Sequence, residues 1–207
     1  MNKYIFPALL TVAGLLAGPV AAACAPEEQA QCQDAQLKNV VWRHADLSGG
    51  NFRNANFEGA NLEGARLKGA DLRGANLKFA RLVKSDLADA NLEGADLQGA
   101  NLRNGNLSRA QLEGANLTQA YLEGADISEA RMSRANLTRS HLVGADLRQA
   151  DLRGALLDGS FMNDSNLKQA NLSGTAVQRS RMIGARLAET VWVDGKVCSS
   201  TSVGFCE

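Results

Sequence analysis

From Leu37 to Trp192 a sizeable apolar residue returns at every fifth position, without one insertion. Most are Leu; the others are Trp42, Phe52, Phe57, Ile127, Met132, Met162, Val177, Met182 and Trp192. Two places earlier runs a second series, small from Ala45 onward, whose variants from Ala are Gly, Ser and Thr. An amphipathic helix wants apolar residues at i, i+3, i+4 and i+7, and a half-buried strand wants strict alternation. A period of five suits neither. A fixed period over about thirty copies is the mark of a solenoid, and it overrides local propensity.

The pattern inside one pentad sets its geometry. In extended backbone, residues two apart point to the same side. The small residue and the Leu therefore face inward, and the Asn or Asp between them faces out. The other two positions are polar or Gly, often Glu-Gly, Arg-Gly or Lys-Gly, and suit a corner. Sides and corners wind into a coil, and stacked coils pair their backbones at about 4.8 Å. Small residues keep the bore narrow enough for Leu to fill. Ala95→Leu should then overpack it at about 1–3 kcal/mol. The outward Asn91 should tolerate Ala within about 0.5 kcal/mol. A helical array fails because Gly and Asn recur every few residues and a five-residue stripe spirals around a helix.

The chain's first 23 residues read differently. Lys3 is their one charge, and an apolar run ends in Ala21-Ala22-Ala23, the form of a cleaved signal peptide. The expected organisation is a signal peptide over 1–23, an N-terminal cap over 24–39, the repeats over 40–190 and a C-terminal cap over 191–207. Export leads to a periplasmic or secreted protein with no membrane span in the mature chain. The mature chain has 22 basic residues less Lys3 against 22 acidic ones, a net charge of −1. That gives no reason to expect nucleic acid or anionic lipid as partner.

Four cysteines remain after cleavage, Cys24, Cys32, Cys198 and Cys206, an even set in an exported protein. Pairing Cys24 with Cys32 and Cys198 with Cys206 is favoured among three connectivities. Cys24 directly after the cleavage site also permits a lipid anchor, although Ala21 stands where a lipobox carries Leu and acylation would orphan Cys32. A four-thiolate zinc site lacks the usual C-x₂₋₄-C spacing. No cofactor is expected.

The segments "ADLRGANLKFA", "ANLEGADLQGANL" and "ADLRQADLRGALL" resemble the A(D/N)LXX motif of the pentapeptide-repeat proteins over residues 45–190. The resemblance implies an all-β fold, a right-handed four-sided β-helix with four pentads per coil. About thirty pentads would then form a rod of roughly 36 Å. The ending "VWVDGKVCSSTSVGFC" is similar to the tail of exported members. An open coil end exposes unpaired backbone and an apolar bore. Trp192 is expected to plug the last coil under a flap held by Cys198–Cys206. Trp42, Phe52 and Phe57 are expected to fill the first coils.

Catalytic signals are scarce. No phosphate-binding Gly loop, H-E-x-x-H or G-x-S-x-G occurs, and of two histidines His44 reads as a surface residue. Asp126 and Asp146 would sit one coil apart, but Arg148 and Lys168 flank them. The chain reads as a non-enzymatic binding or scaffold module of the bacterial envelope, with a passive spacer as the alternative. Some cytoplasmic members of the family imitate DNA with a strongly acidic rod and bind type II topoisomerases. Here Asp46, Asp86, Asp126 and Asp146 share their face with Arg66, Lys68, Arg109, Arg148 and Arg186, which disfavours that role.

With twenty residues per coil, one outward column reads Val41, Asn61, Arg81, Asn101, Tyr121, His141, Phe161, Arg181. Tyr121, His141 and Phe161 would stack at about 4.8 Å steps. Val143 lies on the same face and Leu156 on the preceding one, with Arg81 and Arg181 as a rim. Clustered exposed aromatics mark interaction sites, so this is the expected patch for a protein partner or self-association.

Overall fold

The structure is a computed structural model that describes residues 24–207; the signal-peptide reading of 1–23 lies outside the described residues. Parallel backbone bridges join each residue before the central apolar one to its counterpart twenty positions on, from Gln31↔Asn51 to Asn171↔Val191. Twenty residues are four pentads, so each coil has four sides. The four outward columns are Gln31 to Val191, Gln36 to Ala176, Val41 to Arg181 and Asp46 to Arg186, here termed the first to fourth faces. Each side contributes a single bridge rather than a run of paired residues, because only about two residues per pentad are extended before the next corner. The first rung starts at Gln31, ahead of the expected repeat boundary, and Cys32 takes an inward place that Leu holds elsewhere.

The bore is dry. Leu62, Leu92, Leu122, Ala60, Ala95 and Ala120 are fully buried, as are nearly all members of both inward series. Each such Leu contributes roughly 1.5–3 kcal/mol. The two series compensate in size. A Cβ on Gly50 would fall 2.4 Å from the Phe52 ring, so the bulkiest fill sits beside the smallest neighbour. Phe52 and Phe57 are fully buried with ring centroids 5.4 Å apart, and Trp42 meets Phe57 edge-on at 5.9 Å.

One mid-rod pentad shows how the backbone is satisfied. The Ala90 N–H donates to Leu87 C=O across the corner, Asn91 N–H to Ala70 in the coil before, and Leu92 N–H to Gln111 in the coil after. Gly94 N–H donates to Glu113, again one coil on. The fifth donor, Glu93 N–H, goes to the Asn91 side-chain Oδ1 at 3.1 Å. The outward Asn or Asp is therefore a structural part, closing the one backbone group that neither ladder nor turn can reach. This corrects the expectation that Asn91 is dispensable. Gly94 sits at φ +64° in the third place of the next turn, which Ala95 N–H closes onto Leu92 C=O, a type II arrangement.

The ends differ. The chain returns antiparallel over the last coil, pairing Val191 with Val197 and Arg186 with Val203. Cys198 is bonded to Cys206, with Cα atoms 4.9 Å apart, and Cys198 is buried. Trp192 is half-buried beside that flap, its C=O accepting from Gly195 N–H in the Asp194-Gly195 turn. At the other end Cys24 is bonded to Cys32, Cα atoms 5.3 Å apart. No cysteine is left free. Among the described residues no helix is long and apolar enough to cross a membrane, and no three His, Cys, Asp or Glu gather as metal ligands.

Candidate interaction face

The third face carries Tyr121, His141 and Phe161 on successive rungs. Their rings stack with centroids 5.0 and 4.9 Å apart and planes inclined by 29°. Guanidiniums close both ends of the stack. Arg103 lies 4.4 Å over Tyr121 and Arg181 lies 5.4 Å over Phe161. Such cation–π contacts each contribute about 0.5–1 kcal/mol at exposed sites. Arg181 stands where the column placed it. Arg81 does not take part in the cap, since its guanidinium pairs with Glu63 at 2.9 Å. Arg103 caps instead because it projects from two residues beyond the column, where Glu123 one coil on holds it at 3.0 Å.

Glu123 flanks the stack on the side away from the second face. Its Oε1 lies 3.9 Å from His141 Nδ1, and its buried Oε2 has no hydrogen-bond partner. On the other flank, between the rings and the corner shared with the second face, runs a groove of about 600 Å³. Its corner wall includes Phe79, Arg139 and Arg179 from one column, three and then two coils apart, with Asp158 just ahead of it. Arg179 holds Asp158 through two hydrogen bonds, one from Nε at 3.2 Å, and that carboxylate raises the Arg179 pKa.

Phe79 is the residue the column of rings could not reveal. It sits at a corner with φ +56° and is 62% exposed. Non-Gly residues take this left-handed corner in many pentads of the rod, but they are otherwise polar or charged, and nothing in the bore requires a ring there. Its ring lies over Gly99, where a Cβ would come within 2.7 Å. The available sign was "KFA" in place of the usual polar-Gly corner. Val143 and Leu156, 37% and 46% exposed, extend the apolar surface on either side of the rings, and Ile183 continues it toward the flap.

The Asp126–Asp146 pair on the fourth face is built for structure. Asp126 accepts from the Ser128 hydroxyl and N–H at 2.6 and 3.0 Å. Asp146 accepts from the Arg148 side chain and N–H. Burial pushes the Asp146 carboxyl up, but the Arg148 hydrogen bonds and the charges of Arg148 and Arg186 outweigh it and hold the group low. Arg66 stands 3.4 Å from Asp46, and Arg109 reaches back one coil to Asp89 at 2.8 Å. Acid and base are interspersed here, without the continuous negative field of a DNA-like rod.

The profile of pentapeptide repeats matches residues 30–69, 70–109, 106–144 and 145–184 of this chain. No protein of curated function matches it. Among solved structures, HetL from the cyanobacterium Nostoc sp. strain PCC 7120, a pentapeptide repeat protein involved in heterocyst differentiation regulation, is 24% identical. It covers 78% of this chain and 94% of its own, with a TM-score of 0.48. Full-length QnrB1, a plasmid-mediated fluoroquinolone resistance protein, is 17% identical over 67% of this chain and 84% of its own, TM-score 0.40. A pentapeptide repeat protein of the Arabidopsis thaliana thylakoid lumen is 26% identical over 67% and 85%, TM-score 0.25. Matched across most of its length by that profile, and coiled twenty residues to the turn, the chain belongs to the pentapeptide-repeat family.

Proposed function

We propose that this protein is a non-enzymatic scaffold that holds a protein partner against its third face, at Tyr121, His141 and Phe161. The observation that carries this reading is the ring stack itself, set beside the exposed Phe79 ring. Local rules broken without benefit to the core belong to functional surfaces. The carboxylates an enzyme would need are committed to closing turns and pairing with arginine. The coil winds right-handed, in keeping with the strong preference of parallel β connections for that hand. Two end disulfides suit an oxidising compartment, and we assign the protein to the bacterial envelope, exported by its N-terminal segment.

In-cell photocrosslinking tests this. A probe at Val143 or Leu156 should trap a discrete partner, while a probe at Asn91 or Asn171 on the opposite first face should not. Tyr121→Ser with Phe161→Ser should abolish the adduct and leave circular dichroism unchanged. Equal adducts from both faces, or an adduct that survives the double substitution, would make the protein a spacer and the stack a structural ladder.

A further inference from the structure

We propose that the groove beside the ring stack binds an extended, acidic peptide segment of the partner, lying along the rod axis with its carboxylates on Arg139 and Arg181. This rests on the third face being the binding face, and it names the chemistry that face selects.

Ring orientation decides first. Both faces of each ring are already covered: Tyr121 by Arg103 and His141, His141 by Tyr121 and Phe161, Phe161 by His141 and Arg181. Nucleobases bind aromatic side chains through ring faces, and within the stack no face is free. What reaches the groove is the ring edge, the positive end of the aromatic quadrupole. A row of ring edges attracts carboxylate and carbonyl oxygens.

Charge points the same way. The groove and the stack ends carry four guanidiniums, those of Arg103, Arg139, Arg179 and Arg181, against two carboxylates, Asp158 and Glu123. Asp158 is taken by Arg179 and Glu123 by Arg103. Arg139 and Arg181 have no carboxylate within ion-pair distance among the described residues. Arg139 lies along the corner with its Cγ stem over Gly159, 3.5 Å from where a Cβ would be, so its head is presented to the groove. Guanidinium and carboxylate match as bidentate partners.

Shape supplies the rest. From Phe79 to Arg179 the corner column climbs five coils, roughly 24 Å, the span of about seven extended residues. Phe79 offers an apolar stop at one end, and Leu156 an apolar step one coil short of the other. An extended chain presents side chains alternately, so one edge can carry acids while the other carries an apolar residue.

Fluorescence anisotropy of the intact, oxidised protein provides the test, with a labelled Glu-rich peptide, its Lys-rich counterpart and single-stranded oligothymidylate as probes. The acidic peptide should bind, weaken steeply with salt and lose roughly tenfold or more in affinity on Arg139→Glu with Arg181→Glu. The milder Arg139→Gln with Arg181→Gln should give a smaller loss in the same direction, which keeps the result readable should charge reversal disturb folding. Affinity for the acidic peptide unchanged in both double variants would overturn the proposal, as would tighter binding of the oligonucleotide or the Lys-rich peptide. Failure of this inference differs from failure of the third-face reading. In that case Tyr121→Ser with Phe161→Ser still abolishes the in-cell adduct, while the arginine substitutions leave it untouched.

Discussion

The third and fourth faces have the same backbone and eight outward column positions each, yet they use those positions differently. On the fourth face, six of the eight side chains turn back to accept the N–H two residues on: Asp46, Asp86, Asn106, Asp126, Asp146 and Asn166. On the third face only Asn61 and Asn101 do so. At Tyr121, His141 and Phe161 the side chains stack outward and leave Glu123, Val143 and Asn163 without that local acceptor. Each missing bond forgoes about 1 kcal/mol, and an aromatic pair returns about 0.5–1.5 kcal/mol. The exchange is close to neutral for stability. A face that gives up the standard closure for no net gain in the fold is the face on which the proposed partner is placed.

The largest effect should be blind to this difference. Ala120→Leu, behind the third face, and Ala125→Leu, behind the fourth, both force methylenes into a filled bore. Each should cost about 1–3 kcal/mol or more, as should Ala95→Leu mid-rod. Urea denaturation reads this directly. If Ala120→Leu were tolerated and Ala125→Leu were not, the bore would be asymmetric and the two faces would differ for reasons of packing.

Removing a turn-closing side chain comes next. Asp86→Ala strips the acceptor of Ala88 N–H at 3.1 Å and of Asn106 Nδ2 at 3.0 Å. Asn91→Ala strips that of Glu93 N–H. Losses of about 1 kcal/mol are expected for each, with Asp86→Ala the larger. Hydrogen exchange at Ala88 and Glu93 should accelerate in the respective variant. Unchanged exchange at both amides would show that water serves them equally well.

Acid sharpens the comparison from the other side. Asp71 and Asp151 on the first face are held low, chiefly by side-chain hydrogen bonds from Arg73 and Arg153, and Asp146 on the fourth face is held low despite its burial. A carboxyl whose folded pKa is depressed adds stability that is present above its unfolded value and lost as pH falls through the folded one. The urea midpoint should therefore be flat from neutrality down to about pH 5 and decline below about pH 4. A midpoint that already slopes near neutrality would take these pairs out of the explanation.

The smallest effect on stability should accompany the largest on binding. Replacing Tyr121, His141 and Phe161 together by Asn gives the third face the closure used on the fourth. Three regained turn bonds offset a lost stack, so the melting temperature should move by only a few degrees while partner capture disappears. A loss of more than about 3 kcal/mol would identify the rings as a structural ladder of the kind cross-strand pairs form.

Several parts of this molecule are written in the chain plainly enough to read without coordinates. The inward series at Leu62, Leu92 and Leu122 follows from period and pleat alone, because side-chain direction in extended backbone alternates whatever lies nearby. The ring column follows once the coil length is known. Coil length itself does not come from a period of five, which any number of sides would satisfy; the resemblance supplied four pentads, and the bridge from Gln31 to Asn51 and its successors decide it. The turn-closing role of Asn91 was illegible because an outward side chain that bends back looks, in sequence, like one that meets water. Arg103 and Phe79 were missed for a related reason. Period places the Cβ atoms of a column, but a long side chain is free to lean between columns, and where it leans depends on which neighbours compete for it. Glu63 draws Arg81 away, Glu123 holds Arg103 over Tyr121, and Gly99 leaves room for Phe79 to lie flat. The repeat determines the rod, and contacts between residues some twenty apart in sequence, which no local pattern encodes, determine what its surface can hold.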